Sequence, residues 1–266
     1  MSRRRADVEL VDRGLVESRA RAQALILAGL VFSGDRRIAK AGDAVAADQP
    51  LEVRGRDHPW VSRGGLKLVG GLDHFAFDPA GAVALDVGAS TGGFTDVLLS
   101  RGAARVYAVD VGHGQLAWKL RQDPRVVVLE RTNARMLSRT DILEPVAMIV
   151  CDASFIGLEV VLPAALALAA PGARLVALIK PQFEVGRGEV GKGGVVRDPA
   201  LHQQVCDRIS AWLAALPDWR VLGVRESPLL GPEGNKEFLI GAVFEPAQAI
   251  RSPVEPVGHG CSPRGA

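Results

Sequence analysis

From residue 83 to residue 244 the chain alternates short, almost wholly apolar runs with longer polar or amphipathic stretches. The first runs fall at 83–87, 106–109, 126–129, 147–151 and 175–179. A strand that is apolar on both faces must be covered on both, and strands separated by helix-length segments run parallel, so an α/β fold is expected: a sheet between two helical layers. Two later runs, 220–225 and 238–244, flank a proline- and glycine-rich stretch at 228–234 and bring the sheet to seven strands, mixed but mostly parallel. The longest apolar stretch, 160–179, is interrupted by Pro163, Pro171, Gly172 and Arg174, which suits a buried helix, a turn and a strand better than a membrane span.

Sheets of this kind bind ligands beyond the C-terminal ends of their strands, where several runs end in residues that packing does not require. The first leads into Asp86-Val87-Gly88-Ala89-Ser90-Thr91-Gly92-Gly93-Phe94-Thr95. Glycines there permit left-handed backbone angles and close approach of main chain to ligand, so Asp86, Gly88, Ser90, Thr91, Gly92, Gly93 and Phe94 are expected to shape a nucleotide-type site. Asp110, ending the second run, is placed to accept hydrogen bonds from two ribose hydroxyls. The later glycines are one place off the dinucleotide fingerprint G-x-G-x-x-G. This disfavours an NAD-dependent oxidoreductase, and Asp86, two residues ahead of Gly88, suits a cofactor carrying a positively charged amino-acid moiety.

The fourth run ends at Cys151-Asp152-Ala153-Ser154-Phe155 and the fifth at Lys180-Pro181-Gln182-Phe183-Glu184. Asp152 and Lys180 should converge at the same sheet edge, as a structural ion pair or as a catalytic one. The glycine-rich segment 186–194 that follows can be read as a lid over a substrate or as a plain surface loop.

Ahead of residue 60 the pattern changes to a small α+β module. Ser18 can cap a helix in which Ala22, Leu25 and Ile26 recur at helical spacing, Gly29 ends it, and short strands are expected near 30–32 and 51–53. The division expected is a module at 1–58, a linker at 59–66, a larger domain at 67–246 and a disordered tail at 247–266. Residues 1–67 hold 13 Lys or Arg against 9 Asp or Glu, and the remainder 19 against 21, so the modest basic excess lies at the front, where a polyanion would be met. Cys151, Cys206 and Cys261 form no CxxC pair, which points to neither a disulfide framework nor a zinc site. The basic start at Arg3–Arg5 runs into acidic residues instead of an apolar core, so no signal peptide is expected and a cytoplasmic location is.

Taken together, Val61-Ser62-Arg63-Gly64-Gly65-Leu66-Lys67-Leu68, the 86–95 turn, Glu130-Arg131-Thr132-Asn133-Ala134-Arg135, the 152–155 and 180–184 segments and Gly234-Asn235-Lys236-Glu237 resemble the TlyA family, also called haemolysin A. That resemblance implies an S4-type RNA-binding module ahead of an FtsJ-like, Rossmann-like methyltransferase domain using S-adenosylmethionine. It implies a catalytic tetrad of Lys67, Asp152, Lys180 and Glu237, with Lys180 as base, Asp152 orienting it, Lys67 acting on it by like-charge repulsion and Glu237 positioning Lys67 or the ribose. It adds Asn133 beside the adenine, and Arg4, Arg19, Arg21 and Arg63 as RNA contacts. The implied substrate is a cytidine ribose in ribosomal RNA, 16S, 23S or both, with no metal and no membrane. Two rival readings are an RNA-binding protein with an inactive methyltransferase domain and a membrane-acting haemolysin, for which no amphipathic or spanning segment is evident.

Overall fold

The computed structural model describes residues 3–246 apart from 17, 28, 47, 55–57 and 187, and the chain divides into two units between Pro59 and Trp60. The expected tail at 247–266, Cys261 included, lies outside the described residues.

In the first unit β1 (Arg3–Arg5) runs directly into α1 (Ala6–Asp12), followed by α2 (Arg19–Leu27), β2 (Val31–Ser33), β3 (Arg36–Arg37), β4 (Ala44–Ala46) and β5 (Glu52–Val53). β1 pairs antiparallel with β4, while β3, β2 and β5 form a separate small sheet. Ala6 and Leu10 of α1 and Ala22, Leu25 and Ile26 of α2 close over Val31, Ile38 and Val45. The Ser18 hydroxyl accepts the Arg21 N–H (3.2 Å) and so caps α2, and Gly29 takes φ +74° beyond its end.

The second unit opens with α3 (Gly64–His74), which begins inside the segment expected to be a linker. It continues through β6 (Val83–Val87), α4 (Gly93–Ser100), β7 (Arg105–Val109), α5 (Trp118–Arg121), β8 (Val126–Leu129) and β9 (Val146–Cys151). The rest is α6 (Leu158–Val161), α7 (Pro163–Leu166), β10 (Ala169–Ile179), α8 (Pro181–Glu184), α9 (Pro199–Ala215), β11 (Trp219–Glu226) and β12 (Phe238–Phe244). The seven strands lie in the order β11-β12-β10-β9-β6-β7-β8, all parallel except β12, which is antiparallel to both neighbours. Side chains alternate across this sheet with period two. Leu85, Val87, Tyr107, Val109, Ile149, Cys151, Leu175 and Ala177 face the layer of α6, α7 and α9, whereas Ala84, Val106, Ala108, Met148, Val150, Val176 and Leu178 face α3, α4 and α5. The turn expected at Pro171-Gly172 is instead an irregularity within β10, whose register to β9 shifts between Ala169 and Arg174. β6, β9 and β10 thus end side by side, and β12 starts next to the end of β10.

Candidate active site

The turn after β6 is shaped by backbone constraints that few residues satisfy. Gly88 (φ +83°) and Gly92 (φ +94°) are left-handed, as is Ser90 (φ +48°), and both Gly88 and Ala89 donate to the carbonyl of Val109. A Cβ on Gly88 would lie 2.9 Å from the Cα of Ala153, a backbone atom that cannot rotate away. The turn is therefore pinned between the ends of β7 and β9, with Ser90 and Thr91 exposed on it. Asp110 stabilises it further: its Oδ2 accepts the Ser90 N–H (2.8 Å) and its Oδ1 the Gly112 N–H (2.7 Å). Each oxygen keeps a second lone pair for an outside hydroxyl. Beside it Val111 is 74% exposed, an apolar surface next to the acid that sequence reading passed over.

Three residues expected to line this site do something else. Asp86 is fully buried beneath the turn, where its Oδ2 accepts the Thr95 hydroxyl (2.6 Å) and its Oδ1 has no partner. Burial pushes its carboxyl up to about 7, with the charges of Asp152 and Asp110 adding to the effect. A direct contact with a cationic ligand would require the turn to open, so Asp86 braces the turn against α4. Phe94 is 3% exposed and packs in the core with Val97 and Leu98, because the first turn of α4 directs it into the helical layer. Gly93 is hemmed in by Ser62 and the backbone of Gly64 and Gly65, so it serves the close approach of α3 to α4. Asn133 caps the 3₁₀ turn Ala134–Met136, its carbonyl oxygen accepting the Arg135 N–H (3.1 Å), which leaves its amide group as the part able to meet a base.

Two lysines stand nearby, each matched to one carboxylate. The Lys180 ammonium donates to the Ser154 hydroxyl (3.0 Å) and more weakly to the Asp152 carbonyl (3.4 Å), and its Nζ lies 2.6 Å from Asp152 Oδ1. That oxygen lacks a well-directed hydrogen bond, so the contact is charge attraction without lone-pair alignment. Lys67, on α3, donates to Glu237 Oε2 (2.6 Å) in a directed bond. Glu237 immediately precedes β12, whose Phe238 pairs with Ile179, so it is in register with Lys180. Its carboxylate fills the space that a Cβ on Gly231 would need. The N-terminus of α3 reaches the same place: a Cβ on Gly64 would lie 3.7 Å from Asp152 Oδ2. All four residues of the expected tetrad therefore gather around the end of β10. Lys67 meets Lys180's surroundings already ion-paired to Glu237.

Phe155, next to Ser154, is 89% exposed in a left-handed conformation (φ +65°) and lies against Phe183, ring centroids 4.9 Å apart. The glycine-rich segment is anchored at its far end by Asn235, whose Oδ1 accepts the Val196 N–H (3.1 Å) and whose amide donates to the Gly194 carbonyl (3.1 Å). Ser154, Asn235 and Glu184 carry no role in the sequence reading, although each lies in a segment singled out there. Among the described residues no group of three or more His, Cys, Asp or Glu side chains could hold a metal, and no helix is long and apolar enough to cross a membrane.

The arginines expected to meet RNA already have partners within the chain. Arg4 pairs with Asp12 (2.5 Å) and Arg19 with the buried Asp7 (3.2 Å), which also takes two hydrogen bonds from Arg5. Arg21 is half-buried on α2, and Arg63 occupies the N-cap position of α3.

Residues 60–244 match the family model of FtsJ-like methyltransferases. The 16S/23S rRNA (cytidine-2'-O)-methyltransferase TlyA of Mycobacterium tuberculosis is 52% identical over 242 residues, 90% of either chain. Hemolysin A of Brachyspira hyodysenteriae is 37% identical over 236 residues, 88% of this chain and 98% of its own. A solved structure from Streptococcus thermophilus, described under a hemolysin name, superposes with a TM-score of 0.76 at 40% identity and covers 92% of this chain and 90% of that one.

Proposed function

The chain belongs to the FtsJ-like methyltransferase family and within it to the TlyA group, and from that premise we propose that it methylates the 2'-oxygen of a cytidine ribose in ribosomal RNA with S-adenosylmethionine as donor. The observation that supports this reading is the meeting of Lys180 with Asp152 and of Lys67 with Glu237 around the end of β10, beside the turn at Gly88. An RNA-binding protein that had lost its chemistry would have no reason to keep two buried lysines, each costly to desolvate.

The residues of the turn fit the cofactor. Gly88 and Gly92 let the backbone come close, Asp110 retains acceptor capacity for two ribose hydroxyls, and Val111 and Asn133 would flank the adenine. When bound, S-adenosylmethionine supplies a methyl group on a sulfonium leaving group. The protein has two remaining tasks: to hold the 2'-hydroxyl in line with that methyl group and to take its proton. Lys180, as the neutral amine, accepts the proton, and Asp152 stabilises the ammonium that results. Lys67, fixed by Glu237, steadies the ribose from the other side. Phe155 offers an exposed ring on which the target base can stack. The first unit adds affinity through phosphate contacts, which position RNA without reading its sequence. The protein would act where ribosomal RNA is found, in the cytoplasm.

The test is transfer of radiolabelled methyl from S-adenosylmethionine to purified ribosomal subunits, with the modified nucleotide mapped. Label on a ribose 2'-oxygen, lost in Lys180→Ala, is the expected result. Tight RNA binding without label on either subunit would overturn it, and lysis of vesicles without RNA would support the hemolysin name instead.

A further inference from the structure

The two loops that carry the proposed catalytic pair are fastened to each other at three successive points. Lys180 donates to Ser154, Phe183 lies against Phe155, and the carboxylate of Glu184 accepts the N–H of Leu158 at 2.8 Å. The side chain of Glu184 is 3% exposed, and burial pushes its carboxyl up, while the Leu158 amide and Arg208 hold it down. A side chain on Gly157 would press on that carboxylate, since its Cβ would lie 3.0 Å from Oε2. Arg208, from the middle of α9, closes the arrangement: it donates to Glu184 Oε2 (2.9 Å), to the Glu184 carbonyl (3.0 Å) and to Glu159 Oε2 (3.0 Å). One guanidinium thus grips the start of α6 and the end of α8.

This fastening spans a strained residue. A bulky side chain at φ +65° is uncommon and persists only where the surroundings over-determine it. Phe155 sits between Ser154, held by Lys180, and Leu158, held by Glu184. Release of the Leu158 end would let the backbone from Ala153 to Gly157 relax, and Asp152 and Ser154 would turn away from Lys180 with it.

We propose that Glu184, braced by Arg208, is a positioning residue that holds the 153–158 loop in register with Lys180 and so sets the geometry of the proton-accepting pair. This rests on the catalytic reading given above. Glu184 touches neither cofactor nor ribose in this scheme, so it affects turnover alone.

The experiment compares wild type, Glu184→Ala, Glu184→Gln and Arg208→Ala in the full chain by three measurements: methyl transfer to ribosomal subunits, S-adenosylmethionine affinity by equilibrium dialysis, and amide exchange across residues 153–158. In Glu184→Ala, kcat should fall by about 10²-fold, the order expected for a displacement of about 1 Å at a reacting pair. Cofactor affinity and the KM for RNA should stay near wild type, and exchange at 153–158 should speed up. Glu184→Gln should keep most of the turnover, because its side-chain carbonyl still accepts the Leu158 N–H, and Arg208→Ala should fall between the two. Unchanged kcat in Glu184→Ala overturns the proposal, as does a Gln variant as poor as Ala. Should Glu184→Ala not fold, unchanged exchange and kcat in Arg208→Ala overturn it equally. A wild type that transfers no methyl group at all refutes the catalytic reading instead, while the exchange measurement still reports on the fastening.

Discussion

Lys67 and Glu237 meet through a single directed hydrogen bond, their side chains 10% and 0% exposed. Lys180 is as buried, at 8%, but its carboxylate partner Asp152 is 22% exposed, approaches without lone-pair alignment, and shares the ammonium with a serine hydroxyl and a carbonyl. The first pair sits between a helix and an antiparallel strand and is sealed by Gly231; the second sits at the open ends of two parallel strands. A lysine locked in one strong bond is suited to hold position. A lysine that shares its hydrogens among three partners, one of them partly open to solvent, is suited to exchange a partner for a substrate hydroxyl.

The sharpest way to break that contrast is to remove Lys180. Lys180→Ala should lower turnover by about 10²–10⁴-fold, the usual contribution of a positioned proton acceptor, with S-adenosylmethionine affinity little changed, because the glycine turn does not lean on it. Stability should drop only modestly, since the stranded Asp152 can be rehydrated. Single-turnover methyl transfer together with a thermal melt checks both halves. A variant that keeps most of its turnover would move the proton-accepting role elsewhere.

The sealed pair should respond the other way. Glu237→Leu leaves a buried ammonium unpaired and should cost about 3–5 kcal/mol of stability, a fall of about 2–4 °C in Tm for each kcal/mol in a domain of this size. Lys67→Met combined with Glu237→Leu removes both charges and should recover most of that stability while methyl transfer stays low. Recovery of activity along with stability would show that this pair is scaffolding and has no part in holding the ribose.

Much of the fold and of the site is legible in the sequence, and the illegible part has a common cause. β6, β8 and β12 occupy the residues expected of them, because each is an apolar run closed by a glycine, proline or charged residue. Asp152 and Lys180 were legible as neighbours because adjacent parallel strands deliver their C-terminal residues to one edge. β1 was not: three arginines carry no apolar alternation, and the strand exists only through backbone pairing with Ala44–Ala46. The burial of Phe94 and Asp86 is not legible because the motif gives their spacing but not how α4, which carries Phe94, packs over β6, which carries Asp86. Arg208 offered no signal, since it sits in a long helix 24 residues from Glu184, and only the packing of α9 onto the sheet brings the two together.

Asp86 sharpens the comparison from a third direction, with the smallest effect. It is a carboxyl as buried as Glu237 but with a hydroxyl in place of a lysine, so its desolvation is only partly offset, by hydrogen bonding from Thr95 and by no opposite charge. Its pKa is raised from the usual value of about 4 to about 7 in the folded protein. The native state therefore holds the proton more tightly than the unfolded chain does. The stability this contributes is fully present below about pH 4 and is lost as pH rises through 7, the reverse of a salt-bridged carboxylate. Between pH 6 and pH 8 the loss amounts to about 1 kcal/mol, since one pKa unit is worth about 1.4 kcal/mol. Asp86→Asn keeps the shape and an acceptor for Thr95 but cannot ionise. Its Tm should therefore gain on wild type by about 2–4 °C on going from pH 6 to pH 8, with every other titrating group cancelling in the difference. Parallel curves across that range would mean that Asp86 is already ionised at pH 6, and that water or a shifted donor reaches the oxygen left without a partner here.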